Sequence, residues 1–511
     1  MSREDALRVR QEKVAGRALR RKAKIEAKRP LRRQSQRLDV AVPAGVSSGN
    51  AICPYSNTQE ERAARHEASD AQLQTARRVW PVVKKQLMKE ADPRNAKKIK
   101  HEKAVLMLYG ILLFVFQRSS RREANREMTR PQFLENVRLW FPEIDKLPHQ
   151  DTVARLLALS DPEQIEAALA GLVEELVRKK KFARYLVENC YPIALDGTGK
   201  LKRNDLVSAQ WLTRTIHNAD GTQEQHYVYV LEVSLAFRNG MTIPLLSEFL
   251  TYDGGSDETK QDCEQRAFHR VVERLRALFP RLPMLLLLDG LYANGPVMAA
   301  CRANHWQFMI GLEDGSLKSV WEEFRGLSKL TTGNRCERIW GGREQQFTWI
   351  NNIDYRYDKG EKKRQLVHVV ECDESWQEWD EKAGGIVTKT SRHAWLSSEP
   401  LSRKNVHERC NHGARHRWGI EESFLVEKHQ GYQYEHAFSE DWNAMRGYHY
   451  LMRIGHLINI LTWYSSALTR DLRRLGIRGF FSLVWSTLTA PWLEAEAVTA
   501  RLCQPWQLRL L

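Results

Sequence analysis

The stretch Ile193-Ala194-Leu195-Asp196-Gly197-Thr198-Gly199-Lys200 is an apolar run that ends on a carboxylate and then on glycines. A second stretch repeats the pattern, Leu285-Leu286-Leu287-Leu288-Asp289-Gly290. Short apolar runs bounded by turn residues read as buried strands. An acid at the edge of a core must stay solvated, be paired or bind a cation, because burying it alone is costly. Two such aspartates on adjacent strands would form a hard, all-oxygen site suited to Mg²⁺ or Mn²⁺. Each aspartate alone also reads as a strand-ending turn residue, since Asp-Gly is a common turn pair.

Outward from these runs, Tyr191 to Lys200, His226 to Phe237 and Thr242 to Leu250 are rich in β-branched and aromatic residues, with Gly221, Asn239 and Gly240 as punctuation. Asp257 to Phe279 carries Ala267, Val271, Val272, Leu275 and Leu278 at helical spacing. Met284 to Leu288 reads as a central strand, Asn294 to Asn304 as a helix and Trp306 to Leu312 as a further strand. Three strands, helix, strand, helix, strand predicts an α/β fold, a mixed sheet covered by helices on both faces. Leu317 to Trp395 reads as a β-rich insertion, with pieces at Arg335 to Trp340, Gln345 to Ile350, Gln365 to Cys372 and Ile386 to Thr390. From Asn405 onward the pattern is helical, through Asp441 to Ser466 and into a Trp- and Leu-rich tail.

Upstream, Gln59 to Phe182 reads as mostly helical. Its longest apolar run, Ala104 to Phe116, falls short of the roughly 20 residues that cross a bilayer, so a buried helix is expected. Pro131 to Trp140 and a helix capped by Asp151 have the order of a helix-turn-helix, or simply of two packed helices. Ser2 to Arg37 is dense in Arg and Lys and reads as a basic arm, or as a solvated tail; Val42 to Asn57 reads as a linker.

The chain has 511 residues, enough for roughly two to four domains. Lysine and arginine number 79 against 63 acids, a net charge of +16, which attracts polyanions and makes nucleic acid the leading partner. The eight cysteines form no C-x-x-C pair, which argues for reduced thiols, and the basic first residues lack the apolar core of a secretory signal. A cytoplasmic protein on DNA, with no membrane partner, is expected.

The third chemical element is Arg417-Trp418-Gly419-Ile420-Glu421-Glu422-Ser423-Phe424-Leu425-Val426-Glu427-Lys428. Arg417, Glu421, Phe424 and Lys428 fall along one stripe of a helix, placing one acid between two bases, whereas Glu422 is turned away by about 100°. Alone, the stripe also reads as an ordinary surface ladder of ion pairs. Together, Asp196, Asp289 and this segment resemble the D-D-E transposases of bacterial insertion sequences, in the branch whose last motif reads Tyr-x2-Arg-x3-Glu-x6-Lys. Arg417, Glu421 and Lys428 match that spacing; Ala414 stands at the tyrosine position.

The resemblance covers about Tyr191 to Ser466. It implies an RNase H-like core with Asp196 on its first strand, Asp289 on its fourth and Glu421 on the helix after the insertion. It further implies that these three acids hold two Mg²⁺ or Mn²⁺ ions for phosphodiester hydrolysis and transesterification, while Arg417, Lys428 and Lys200 grip DNA phosphates. The expected partners are double-stranded DNA, as element ends and target, and a second copy of the chain when assembled on DNA. The alternatives are an inactive transposase-derived DNA-binding protein and a nuclease on the same core.

The resulting division is a basic arm and linker at 1–57, a helical and DNA-binding domain at 58–190, a first core segment at 191–313 and the insertion at 314–404. A second core segment with the motif helix at 405–466 and a helical region at 467–511 complete it. Three further clusters have plainer readings. His407, Cys410, His412 and His416 are zinc-ligating residue types in a short stretch, but no second ligand group with finger-like spacing accompanies them, which argues against structural zinc. Asp257, Asp262 and Glu264 favour a helix start by charge or supply a spare metal ligand. Trp306, Trp418 and Trp442 are core residues by default, or stacking partners for an unpaired base.

Overall fold

The computed structural model describes residues 12–27, 52–218, 221–251, 263–360, 362–490 and 493–510. The chain divides into two units: a smaller one containing helix α1 (12–27) and Leu286–Arg415, and a larger one containing the stretch up to Leu285 and the chain from His416 onward.

In the larger unit the helical part comes first: α2 (Thr58–Leu87), α3 (Lys103–Val115), α4 (Arg121–Glu127), α5 (Pro131–Trp140), α6 (Gln150–Leu159) and α7 (Pro162–Arg178). Helix α2 starts where Asn57 Oδ1 accepts from Glu60 N at 2.9 Å and Glu60 Oε2 in turn accepts from Ser56 N at 2.8 Å, a reciprocal cap. Every residue of α3 is buried, so the apolar run is an interior helix; no described helix is long and apolar enough to cross a membrane. The Asp151 cap moves by two residues: His149 is the N-cap of α6, and its Nδ1 accepts from Asp151 N at 3.2 Å. Helices α5 and α6 pack on different partners, α6 against α3 and α4 and α5 against α2.

Four strands follow: β1 (Tyr191–Arg203), β2 (Leu212–Asn218), β3 (Gly221–Ala236) and β4 (Thr242–Leu250). The sequence pattern showed three. Strand β2 escaped it because Thr213-Arg214-Thr215-Ile216-His217 lacks apolar alternation, and its pairing with β3 holds it in the sheet. Strand β3 pairs antiparallel with β1, β2 and β4. The β1/β3 register sets Asp196 directly opposite Glu232 and shifts between Gly199 and Leu201, a bulge just beyond the candidate acid.

Helix α8 (Glu264–Leu278) packs on β3 and β4 from the face that carries Gly197 and Tyr229. Helix α11 (Trp418–His429) packs on β1 and β3, while α12 (Trp442–Trp463) reaches the same face through His449, which meets Glu232. Since side chains alternate across a strand, the sheet is covered on both faces. Helix α12 is buried over almost its whole length and also packs against α2, α3, α6 and α7, which fastens the helical part to the sheet. Helices α13 (Arg470–Arg474), α14 (Gly476–Leu488) and α15 (Ala495–Cys503) end the chain, with α14 against α2.

Strand β5 (Met284–Leu288) is fully buried, and the boundary between the units crosses it. Burying each of its leucines contributes roughly 1.5–3 kcal/mol, which is why an uninterrupted apolar run makes an interior strand. The smaller unit continues with α9 (Gly295–Ala303), β6 (Gln307–Gly311), α10 (Lys318–Leu330), β7 (Arg335–Trp340), β8 (Arg343–Tyr357), β9 (Lys363–Asp380) and β10 (Gly385–Ser397). Its strands run in the order β6-β10-β9-β8-β7, each neighbouring pair antiparallel. The insertion is β-rich as expected, except that it begins with α10, whose Val320, Trp321 and Phe324 make one buried stripe. The fold class is therefore α/β, with an RNase H-like sheet flanked by helices, a β-rich insertion and helical terminal regions.

Candidate active site

Within the larger unit, two of the expected acids meet on one cation. Asp196 leaves the buried part of β1, where Tyr191 to Leu195 are all buried, and its own Oδ1 accepts from Gly197 N at 3.0 Å. Arg417 stands in a short 3₁₀ turn (Ala414–Arg417) that runs into α11, and Glu421 lies one turn further on. Arg417 Nη2 donates to Glu421 Oε1 at 2.7 Å, and its Nη1 lies 3.9 Å from Asp196 Oδ2. The guanidinium is mostly enclosed, 14% exposed, whereas the Glu421 side chain keeps 35%, so the pair opens to solvent on the glutamate side.

The start of α11 is fixed against β4 by Thr242 Oγ1, which donates to Gly419 O at 3.2 Å. Glu422 faces another way, lining a small cavity with Thr242, Trp463 and Tyr464, and burial followed by the Glu421 charge raises its carboxyl. A Cβ at position 197 would meet the ends of the Glu264 and Tyr229 side chains, which would have to shift to admit it. Tyr229 OH donates to Glu264 Oε1 at 2.6 Å, and burial, then Glu264, then Asp196 push the phenol far up. Glu264 thus sits in the first turn of α8, near Asp196; Asp257 and Asp262 lie outside the described residues.

The expected phosphate-gripping cations have different settings. Lys428 pairs with Glu435 at 3.2 Å and keeps 19% of its side chain exposed. Lys200 is 3% exposed, its Nζ donates to Tyr434 O at 2.9 Å, and burial pushes its pKa down to about 8. Both line a cavity of about 760 Å³ that also includes Lys202, Arg203, Arg214 and Tyr227. The cavity is therefore a largely basic hollow beside the Gly199 to Arg203 end of β1, beyond Asp196, with Glu264 and Glu435 also in its lining.

Asp289 belongs to the smaller unit. It ends β5 and caps the turn Gly290–Tyr292, its Oδ1 accepting from Leu291 N at 3.0 Å. Among the described residues no group of three or more His, Cys, Asp or Glu side chains stands placed to hold a metal ion, the His407 to His416 stretch included. The His407 and His412 rings meet at 4.7 Å, and burial holds His407 at about 4. Trp306 is buried and Trp442 meets Phe249 edge-on, whereas Trp418 is 62% exposed beside Arg417.

Sequence reading missed a second charged cluster beneath this site. Glu232 on β3, Glu427 on α11 and Arg453 on α12 are all fully buried. Arg453 Nη1 donates to both Glu427 oxygens at 2.9 Å, and its Nη2 lies 3.2 Å from Glu232 Oε2. His456 Nδ1 lies 2.6 Å from Glu427 Oε1, and Tyr434 OH donates to Glu232 Oε1 at 2.7 Å. His449 Nε2 lies 3.3 Å from Glu232 Oε1. Burial alone would raise both carboxyls, but Arg453 and the histidines beside them hold both below the usual range. The one sequence signal was a lone arginine in the apolar run Leu451-Met452-Arg453-Ile454.

Residues 85–173, which span the end of α2 to most of α7, match the model of a family described as DDE_Tnp_1-associated. The match lies upstream of the acids, in the helical part rather than in the stretch that carries the motif resemblance. No curated protein matches the chain. The family match points to a DDE-type transposase, and hence to a transposase-related protein that interacts with DNA.

Proposed function

We propose that the chain is a DNA transposase that cleaves the ends of a mobile element and joins them to target DNA. The observation that carries this reading is the convergence of Asp196 and Glu421, from a strand and a helix 225 positions apart in sequence, on the single Arg417 guanidinium. Two carboxylates that share one cation are a hard, all-oxygen donor set, and such a set fits Mg²⁺ or Mn²⁺. Asp196, Asp289 and Glu421 would hold two such ions, with Asp289 assigned from the sequence pattern. The ions would activate the attacking water or 3′-hydroxyl and stabilise the leaving oxygen in displacement at phosphorus.

The chain's own cations then have distinct parts. Arg417 holds the two acids together and offers a planar fork to a phosphate. Lys428 supplies a point charge at the mouth of the basic hollow, where Lys202, Arg203 and Arg214 attract the DNA backbone. Lys200 serves from within, neutralising buried acid charge at neutral pH. Partners in this reading are the two element ends, target DNA and a second copy of the chain.

The test is cleavage of DNA carrying the sequences that flank the gene, with Mg²⁺ or Mn²⁺, comparing wild type with Glu421→Gln. Loss of cleavage in the variant, with joined products in the wild type, is the expected result. DNA binding without cleavage by the wild type would assign an inactive relative instead, and cleavage without joining a nuclease.

A further inference from the structure

The proposed chemistry leaves the buried cluster of the larger unit unused. We propose that Arg453 is a positioning residue for the reaction: held between Glu232 and Glu427, its guanidinium fixes Asp196 relative to Glu421 and so sets the affinity of that acid pair for a divalent cation. This rests on the reading of Asp196 and Glu421 as acids of the site.

Strand register supplies the first half. Asp196 and Glu232 are direct partners on antiparallel strands, so they project from the same sheet face with Cβ atoms about 4.5–5.5 Å apart. Whatever holds Glu232 holds the sheet position from which Asp196 projects. Helix geometry supplies the second half. Glu427 is six residues beyond Glu421 on α11, which places it about 9 Å along the axis and turned by about 120°. Glu421 therefore keeps its solvent side while Glu427 points inward, and whatever holds Glu427 holds the helix.

Arg453 holds both. Nη1 is committed to Glu427, while Nη2 faces Glu232 and donates to Ser234 Oγ at 3.4 Å. The loop after α11 closes the same circuit, since Tyr434 donates its OH to Glu232 and its N–H to Glu427 O at 3.0 Å. Apolar burial is non-directional and does not by itself point one carboxylate at another. Directional bonds between fully buried charges do hold such a geometry, because water cannot replace a lost partner there. A lysine at 453 would keep the charge and lose the rigid, two-ended reach.

The test uses the full chain bound to a DNA duplex carrying the flanking sequence, with Mn²⁺ affinity read by electron paramagnetic resonance well below the melting midpoint. In Arg453→Lys the expected result is a circular dichroism spectrum and duplex affinity like those of wild type, with Mn²⁺ affinity weakened by about 10- to 100-fold. Glu427→Gln, which keeps shape and loses only charge, is expected to weaken Mn²⁺ in the same direction and decides the matter where Arg453→Lys does not fold. A folded variant that binds Mn²⁺ as wild type does would overturn the proposal and leave the cluster a purely structural one. Glu421→Gln separates the two levels. Equal Mn²⁺ binding in that variant and wild type would remove the acid assignment, and the positioning role with it, whatever Arg453 does.

Discussion

The larger unit contains the same charge arrangement twice. In each, an arginine is set between an acid on the sheet and an acid on α11: Arg417 between Asp196 and Glu421, and Arg453 between Glu232 and Glu427. The difference is water. In the first trio both acids keep solvent-facing surface, whereas in the second all three side chains are fully enclosed. An open pair is held by modest, screened attraction, so its cation can be exchanged for another. An enclosed pair cannot lose its cation without stranding a buried charge, so it fixes geometry instead. Under the proposed function, the open trio is the exchangeable site and the enclosed one its permanent brace.

The largest expected effect tests the open trio. Asp196→Asn and Glu421→Gln should each lower cleavage by about a thousandfold, several kcal/mol of lost transition-state stabilisation, with folding unchanged. Near-normal cleavage in either would remove that acid from the site. Next, the enclosed trio should dominate stability: Arg453→Met should cost about 3–5 kcal/mol in a denaturant titration, against about 1 kcal/mol or less for Arg417→Met. Equal losses would erase the distinction.

Acid should also act on the buried cluster, first through His449. Burial holds the His449 imidazole down to about 4 despite the pull of Glu232, while a histidine in the unfolded chain takes its proton near 6.5. The unfolded chain therefore binds more protons between those values, and stability falls as pH drops from 6.5 to 4. Below about 4.5, the lowered Glu232 and Glu427 carboxyls add to the loss, because their stabilisation is complete only above the unfolded value. A melting midpoint that is flat from pH 6.5 to 4 would mean His449 is already charged in the folded protein. The smallest effect concerns DNA: Arg417→Gln should reduce the salt-dependence slope of duplex binding by about one unit, and an unchanged slope would take Arg417 off the phosphates.

How much of this the sequence revealed depended on the distance over which the physics acts. Strand β1, strand β5 and the i,i+4 pairing of Arg417 with Glu421 were legible, because apolar runs and helical spacing are local. Helix α10 was hidden by the β-like texture around it, although Val320, Trp321 and Phe324 carried its period. The depth of Lys200 was not legible either, since only the fold brings Tyr434 over it. Apart from the lone Arg453 in its apolar run, the buried cluster was not legible, since Glu232 and Glu427 look like ordinary charges until the partners that enclose them are known. The family match at 85–173 falls in helices whose pattern was legible but carried no motif that named a family.

The larger unit is interrupted in sequence by the smaller one, and that has a consequence in time. Ser234 leaves the ribosome 219 residues ahead of Arg453. At about 5–20 residues per second the first four strands wait roughly 10 to 45 s for the arginine that completes them. During that interval Glu232 lacks the Arg453 guanidinium, and the sheet face destined for α11 and α12 stays wet. The insertion finishes emerging before α11 and α12, the helices that close the larger unit around its acids.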